Sequence, residues 1–277
     1  MTDQVWFITG ASRGLGRAIV EEALAAGNRV VATARRPESF ADLAEKYGDR
    51  VLPLRLDVTD PAQARASVAA ATEKFGRIDV VVNNAGYANL VPIAQLGLDE
   101  FRAQVDAVFF GTVYVTKAVL PHFVERRAGH FIQVTSIGGR SNAPGVGAYQ
   151  AAKFAVEGFS GVLNEEVGSL GIKMTLAEPG SMRTDWAGAS MDIPEVEPEY
   201  EATVGAMGRR LRSTLGKEPI DPAKVARVLL DVARMDEPPL HLVLGRSAVD
   251  YVAEKMRTLT DSDARWAELG RSVDFDD

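Results

Sequence analysis

Short apolar runs alternate along the chain with longer stretches in which apolar residues return every three or four positions. Val5–Thr9 is a run of the first kind, and Gly14–Ala26 follows with Leu15, Ile19 and Ala23 on one helical face. Arg29–Ala34 reads as strand, Ser39–Tyr47 as helix and Val51–Leu56 as strand. Asp60-Pro61 sets a capping carboxylate before a proline at the first helical turn; that helix runs to Phe75, where Gly76 closes it. Ile78–Val82 reads as strand, Asp99–Leu120 as a long helix interrupted near Pro121, and His130–Thr135 as strand. Tyr149–Leu170 reads as helix and Ile172–Ala177 as strand; Asp221-Pro222 opens a helix to about Met235, and His241–Leu244 is the last strand. Short apolar strands alternating with helices predict an α/β architecture: a doubly wound parallel sheet of about seven strands, covered on both faces.

The alternation breaks between Ser181 and Lys217, a segment rich in Gly, Met, Glu and Pro that follows a strand end. Open α/β sheets bind ligands outside the carboxyl ends of their strands, and a long irregular segment there is expected to be a lid. Residues 181–217 are therefore read as a substrate lid on a single domain spanning 1–277. Residues 246–277 form a C-terminal extension: a helix around Ala248–Leu259, then an acidic tail with Trp266. No Pro/Gly/Ser-rich linker divides the 277 residues, and 46% of them are apolar, enough for one large core. A net charge of −7 offers no basic face for nucleic acid. The absence of cysteine excludes disulfides, thiolate catalysis and cysteine-ligated metals, and no metal is expected. Met1-Thr2-Asp3-Gln4 shows no basic or apolar region of a signal peptide, and the longest apolar run is far short of the roughly 20 residues that span a bilayer. A cytoplasmic protein without a membrane partner is the expectation.

Two constellations carry chemistry. Gly10, Gly14 and Gly16 lie between the first strand and first helix, where backbone N–H groups and the helix dipole receive a diphosphate. The second strand ends in Arg35-Arg36 with no acid at its tip, and Arg13 sits inside the glycine turn. An acid there would accept from the ribose 2′-OH of NAD, whereas guanidinium groups suit the 2′-phosphate of NADP. Farther on, Tyr149 and Lys153 stand four apart on a helix, so the ammonium can approach the phenol and pull its pKa down toward working pH. That is what a general acid for carbonyl reduction requires, and Ser136 upstream adds a second hydroxyl aimed at the same oxygen.

These residues resemble the short-chain dehydrogenase/reductase family. The likeness rests on Thr9-Gly-x-x-x-Gly-x-Gly16, Asp57-Val58, Asn83-Asn84-Ala85-Gly86, Ser136, Tyr149-x-x-x-Lys153 and Pro179-Gly180, in the family's order from Val5 to Thr184. The resemblance implies a Rossmann-type sheet and an oxidoreductase that interconverts a carbonyl and an alcohol by hydride transfer, with NADP as the cofactor on the arginine reading above. It assigns Ser136, Tyr149 and Lys153 to catalysis. Gly10, Ser12, Arg13, Gly14, Leu15, Gly16, Arg35, Asp57, Val58, Asn84, Ala85 and Gly86 would border the cofactor, with Tyr149, Lys153, Pro179, Gly180 and Thr184 at its nicotinamide end. Substrate contacts would come from Ile137, Arg140, Val146, Met182, Trp186 and Met191, along with Asn142, Tyr87 and Leu90. This mainly apolar set favours a hydrophobic ketone or aldehyde, as for a carbonyl reductase, over an acid.

Members of the family usually place an asparagine three residues before the glycine of the long central helix, where it orders a water that joins the lysine to solvent. Here that position is Val108, which can neither donate nor accept a hydrogen bond. A route rebuilt through Thr112 or the backbone, a slow enzyme and an altered variant are all compatible with this substitution. If the site really lacks the water-ordering group, Val108→Asn is expected to raise turnover, and an unchanged kcat would point to another path, with Thr112 first. Two other functions share the fold: an NADP-binding sensor or scaffold with little or no catalysis, and an epimerase or dehydratase. The changed C-terminus weakens the expectation of a tetramer, while the Asp99–Leu120 and Tyr149–Leu170 helices permit a homodimer.

Overall fold

The computed structural model describes residues 3–184, 186 and 191–275. Asp185 and residues 187–190 of the expected lid, and 276–277 of the tail, lie outside the described residues. The first half runs β1 (Val5–Ile8), α1 (Gly14–Ala25), β2 (Arg29–Ala34), α2 (Ala41–Tyr47), β3 (Val51–Arg55), α3 (Pro61–Phe75), β4 (Val80–Asn83), β5 (Ala88–Asn89), α4 (Leu98–Val105) and α5 (Gly111–Arg126). The second runs β6 (Gly129–Val134), α6 (Gly147–Val167), β7 (Ile172–Pro179), β8 (Met191–Asp192), α7 (Ala206–Thr214), α8 (Pro222–Val232), β9 (His241–Leu244) and α9 (Arg246–Arg271).

Seven strands form one parallel sheet in the order β3-β2-β1-β4-β6-β7-β9, which confirms the expected fold class. Pro53 faces Ala32 on the edge strand β3, where a missing N–H costs no ladder bond on its outer side. The chain leaves β1 in one direction and β4 in the other. A crevice therefore opens at their carboxyl ends. The period of two along the strands divides the core. Trp6, Ile8, Val30 and Val82 pack on α1 and α8 through Ile19, Val20 and Leu229; Val5, Phe7, Val31 and Val81 face α3 and α5 through Val68, Val115 and Phe123.

Caps act as the sequence implies at α3. The Asp60 carboxylate accepts from Ala62 N at 2.8 Å and Gln63 N at 3.2 Å, and Gly76 closes the helix at φ +74°.

Three elements depart from expectation. First, α5 passes straight through Pro121 to Arg126. The proline forfeits one backbone bond, but Val119 and Phe123 on either side of it are fully buried, and that burial holds the helix together. Second, a π-helical turn, Asp106–Phe110, joins α4 to α5, so Leu98–Arg126 is one rod of 29 residues, apolar and long enough by composition to cross a membrane. In sequence polar residues interrupt this run; in the fold its apolar side lies on the sheet. Third, the expected tail continues as helix, α9 spanning 26 residues through Trp266, with Ala248 and Val252 its buried residues.

Candidate active site

The crevice is floored by the turns after β1 and β4, which bind each other. Gly10 and Gly14 adopt φ +61° and +56°. A Cβ on Gly10 would stand 2.7 Å from Ala85 Cα, and one on Gly16 would stand 2.4 Å from Gly10 O, so the first and last glycines are required by close approach. Asn84 Nδ2 donates to the carbonyls of Thr9 and Gly10, each at 3.1 Å, while Thr9 Oγ1 accepts from Asn84 N and Ala85 N at 3.0 and 3.1 Å. Beneath them Asn83 Nδ2 donates to Thr116 Oγ1 and Gln133 Oε1.

Ser12, Arg13, Gly14 and Leu15 open α1, and Arg13 and Arg35 are exposed. Among the described residues neither arginine has an ion-pair partner, whereas nearby Arg17 is held by Glu21 and Asp42. At the end of β3, Asp57 Oδ1 accepts from Thr59 N and Oγ1, and Val58 packs against Gly111 so closely that a Cβ there would lie 2.7 Å from Val58 Cγ2. Across the crevice Pro179 ends β7, and Gly180 N donates to Leu244 O at 3.1 Å. Thr184 Oγ1 accepts from Trp186 N at 3.3 Å, and its Cβ would lie 3.5 Å from a Cβ on Gly14. The lid segment thus reaches the glycine turn.

Ser136 and α6 supply the reacting groups. Ser136 Oγ accepts from Gly138 N at 3.0 Å, a capping role. Tyr149 is buried, and burial pushes its phenol up to about 12, with the nearby Ser136 hydroxyl pulling the other way. The sequence-based expectation of a phenol depressed by lysine is therefore not met in this structure. Lys153 Nζ donates to Val134 O at 2.6 Å and stands 5.6 Å from the Tyr149 ring centre. Burial lowers its ammonium to about 8, and Glu157 on the next turn opposes that shift.

The lid roofs these groups with apolar side chains. Trp186 lies against Tyr149 at 5.4 Å between ring centres with the planes tilted by 57°, and β8 of the lid pairs with β5. Val146, Met191 and Val204 share a cluster with Tyr149, Leu90 and Val108. Ile137 is half-buried beside Ser136. Met182 lies apart, bridged to Ile220 and packed on the core beneath α8. Arg140 is engaged as well: its guanidinium pairs with the fully buried Glu178 at 3.1 Å. Thr112, the first alternative to the missing asparagine, spends its hydroxyl on Val108 O at 2.9 Å.

Sequence reasoning overlooked the group behind Lys153. His241 Nδ1 lies 2.8 Å from Glu178 Oε1 and 3.5 Å from Glu157 Oε2. The signal was present, since Glu157 continues the four-residue spacing of Tyr149 and Lys153.

A doubly wound sheet, a glycine turn at its switch point and a Ser-Tyr-Lys set on the opposite lip define a dinucleotide-dependent oxidoreductase class. The sequence model of short chain dehydrogenases matches residues 4–192, and the chain belongs to this short-chain dehydrogenase/reductase family. It is 52% identical over 267 residues to Oxidoreductase BOA17 of Botryotinia fuckeliana, covering 96% of this chain and 97% of that one. Among solved structures, a short-chain dehydrogenase from Streptomyces avermitilis superposes with a TM-score of 0.93 at 36% identity, covering 99% and 100% of the two chains. A closed form of serine dehydrogenase complexed with NADP+ superposes at 0.74 and 26%, covering 87% and 94%. The relatives that it matches along nearly its whole length are oxidoreductases.

Proposed function

We propose that this oxidoreductase interconverts a hydrophobic ketone or aldehyde with its alcohol, using NADP and Tyr149 as general acid/base. The observation that carries the reading is the convergence of Ser136, Tyr149 and Lys153 beneath an apolar roof, on the rim that also holds the glycine turn. The residues fit the cofactor. Gly10 and Gly14, both at positive φ, keep side chains out of the turn, and the buried Lys153 ammonium has three N–H groups but one protein acceptor among the described residues. Arg13 and Arg35, both exposed and unpaired among the described residues, favour a 2′-phosphate over a bare ribose. The NADP+ of the serine dehydrogenase supports the same choice.

When bound, the cofactor supplies the hydride for the carbonyl carbon. This chain's residues handle the oxygen. Ser136 and Tyr149 hydroxyls hold it, and Tyr149 gives up its proton as negative charge develops there. Since burial disfavours the phenolate, the neighbouring ammonium of Lys153 must offset that cost. Trp186, Val146 and Met191 are apolar and Arg140 is engaged by Glu178, so the described residues of the roof favour an apolar substrate over an acid. Exposed Phe110 and Val124 on the central rod, with Phe154 and Val162 on α6, support a homodimer across those helices.

The test is NADPH absorbance against a panel of hydrophobic ketones, beside NADPH binding by calorimetry. Turnover of one or more with net NADPH oxidation supports the reading. Tight binding without turnover favours a sensor or scaffold, and conversion without net oxidation favours an epimerase or dehydratase.

A further inference from the structure

In the family, the catalytic lysine reaches solvent through a water ordered by an asparagine. Val108 abolishes that side chain, and the Thr112 hydroxyl is spent on the helix backbone. Another polar path leads away from the lysine. Tyr149, Lys153 and Glu157 occupy one face of α6 at successive four-residue steps. Glu157 is nearly buried, and neither of its carboxylate oxygens has a hydrogen-bond donor among the described residues. Buried polar atoms of this kind require a partner or a water.

The next groups outward come from other elements. Glu178 of β7 is fully buried and receives Arg140, from the segment after β6, at 3.1 Å. His241 of β9 contacts Glu178 at 2.8 Å and Glu157 at 3.5 Å, and its side chain is 46% exposed. Thr135, at the end of β6, and Lys153 complete the polar and charged groups facing Glu157 among the described residues. One guanidinium stands beside two buried carboxylates, which favours the protonated form of Glu157. Gly139 closes the remaining side, since a Cβ there would lie 2.9 Å from Glu157 Cγ and so would displace the carboxylate.

We propose that Glu157 and His241 form a proton relay that carries protons between Lys153 and solvent, in place of the asparagine-ordered water. The proposal rests on Tyr149 being the acid/base. In the reducing direction Tyr149 loses its proton to the substrate oxygen. Lys153 restores it, the Glu157 carboxyl restores the ammonium through one bridging water, and His241 or solvent restores Glu157. One proton from water and the hydride from the cofactor account for the alcohol formed. Burial, with Glu178 nearby, raises Glu157 to about 7, so it can carry the proton near neutral pH.

The test compares wild type, Glu157→Gln and His241→Asn as NADPH-loaded proteins. The titration of Glu157 is followed by carboxyl 13C NMR. A signal titrating near neutrality, and moved by His241→Asn, is expected; one titrating with the exposed glutamates overturns the relay. With a ketone turned over by wild type, a dye reports proton uptake during a single turnover. In Glu157→Gln, uptake should lag NADPH oxidation by on the order of tenfold, the alkaline fall of kcat near pH 7 should vanish, and formate should restore uptake. Uptake in step with oxidation and an unchanged pH profile would overturn the proposal. Retained turnover in Tyr149→Phe would instead overturn the acid/base reading on which it rests.

Discussion

Val108→Asn separates a missing part from a replaced one. In sequence, restoring the family's asparagine is expected to raise turnover. In the structure, Val108 is 1% exposed within an apolar cluster of Ala88, Leu90, Val146 and Tyr149, and its own carbonyl is occupied by Thr112. Removing the buried isopropyl group forfeits about 1.5–3 kcal/mol. A carboxamide left without partners costs a further ~1–3 kcal/mol. A loss near 3 kcal/mol corresponds to a Tm drop of roughly 6–12 °C for a chain of this size. Val108→Thr keeps the shape and can return its hydroxyl to the helix backbone, so it should lose about 1 kcal/mol. Differential scanning calorimetry, with kcat measured well below each Tm, decides. With the relay through Glu157 in place, kcat of the folded Asn variant should not rise. A higher kcat with an unchanged Tm would refute both the packing argument and the idea of a replaced route.

Arg35→Ala should weaken NADP binding by about 10- to 150-fold, from ~1.5–3 kcal/mol per charge-assisted contact, and exposure of the residue favours the lower end. NAD binding should barely change, and equal affinity of wild type for both cofactors in calorimetric titration would sink the assignment. Tyr149→Phe should abolish turnover and leave NADPH binding nearly intact, whereas activity within a few-fold of wild type would point to another proton donor. His130 is 3% exposed, contacts Thr175 Oγ1 at 3.0 Å, and is lowered by burial to about 3. Its folded pKa lies below the unfolded value near 6.5, so the unfolded chain binds the extra proton as pH falls between the two. Stability from this site is full above about 6.5 and is lost toward pH 3. Urea melts of His130→Gln should show a smaller loss between pH 7 and 4 than wild type, and parallel losses would count against it.

The sheet was legible because its strands are short, apolar and separated by helices with caps. Asp60-Pro61 and Gly76 bound α3 as predicted. The reach of α5 past Pro121 was not legible, because what holds it is the burial of Phe123, a tertiary fact. The reach of α9 past Leu259 was not legible either, because the sequence there turns polar and charged, yet the helix continues to Arg271 with its buried residues, Ala248 and Val252, both near its start. At the site, the four-residue spacing showed which side chains share a face, but not how far each is taken out of water. Burial reverses the expected direction for Tyr149, and the Arg140–Glu178–His241 contacts join segments far apart in the chain.

The 26-residue α9 touches the core near its start alone, through Ala248 and Val252. Its outer turns have few burial contacts to protect them, so their amides should exchange with solvent at rates set by helix fraying rather than by global opening. This also affects optical melts. The chain's three tryptophans divide among three layers: Trp6 fully buried in the sheet, Trp186 of the lid against Tyr149, and Trp266 60% exposed on α9. Intrinsic fluorescence is therefore a sum of unlike reporters. Replacing two indoles at a time by phenylalanine would turn it into separate gauges of sheet, roof and outrigger.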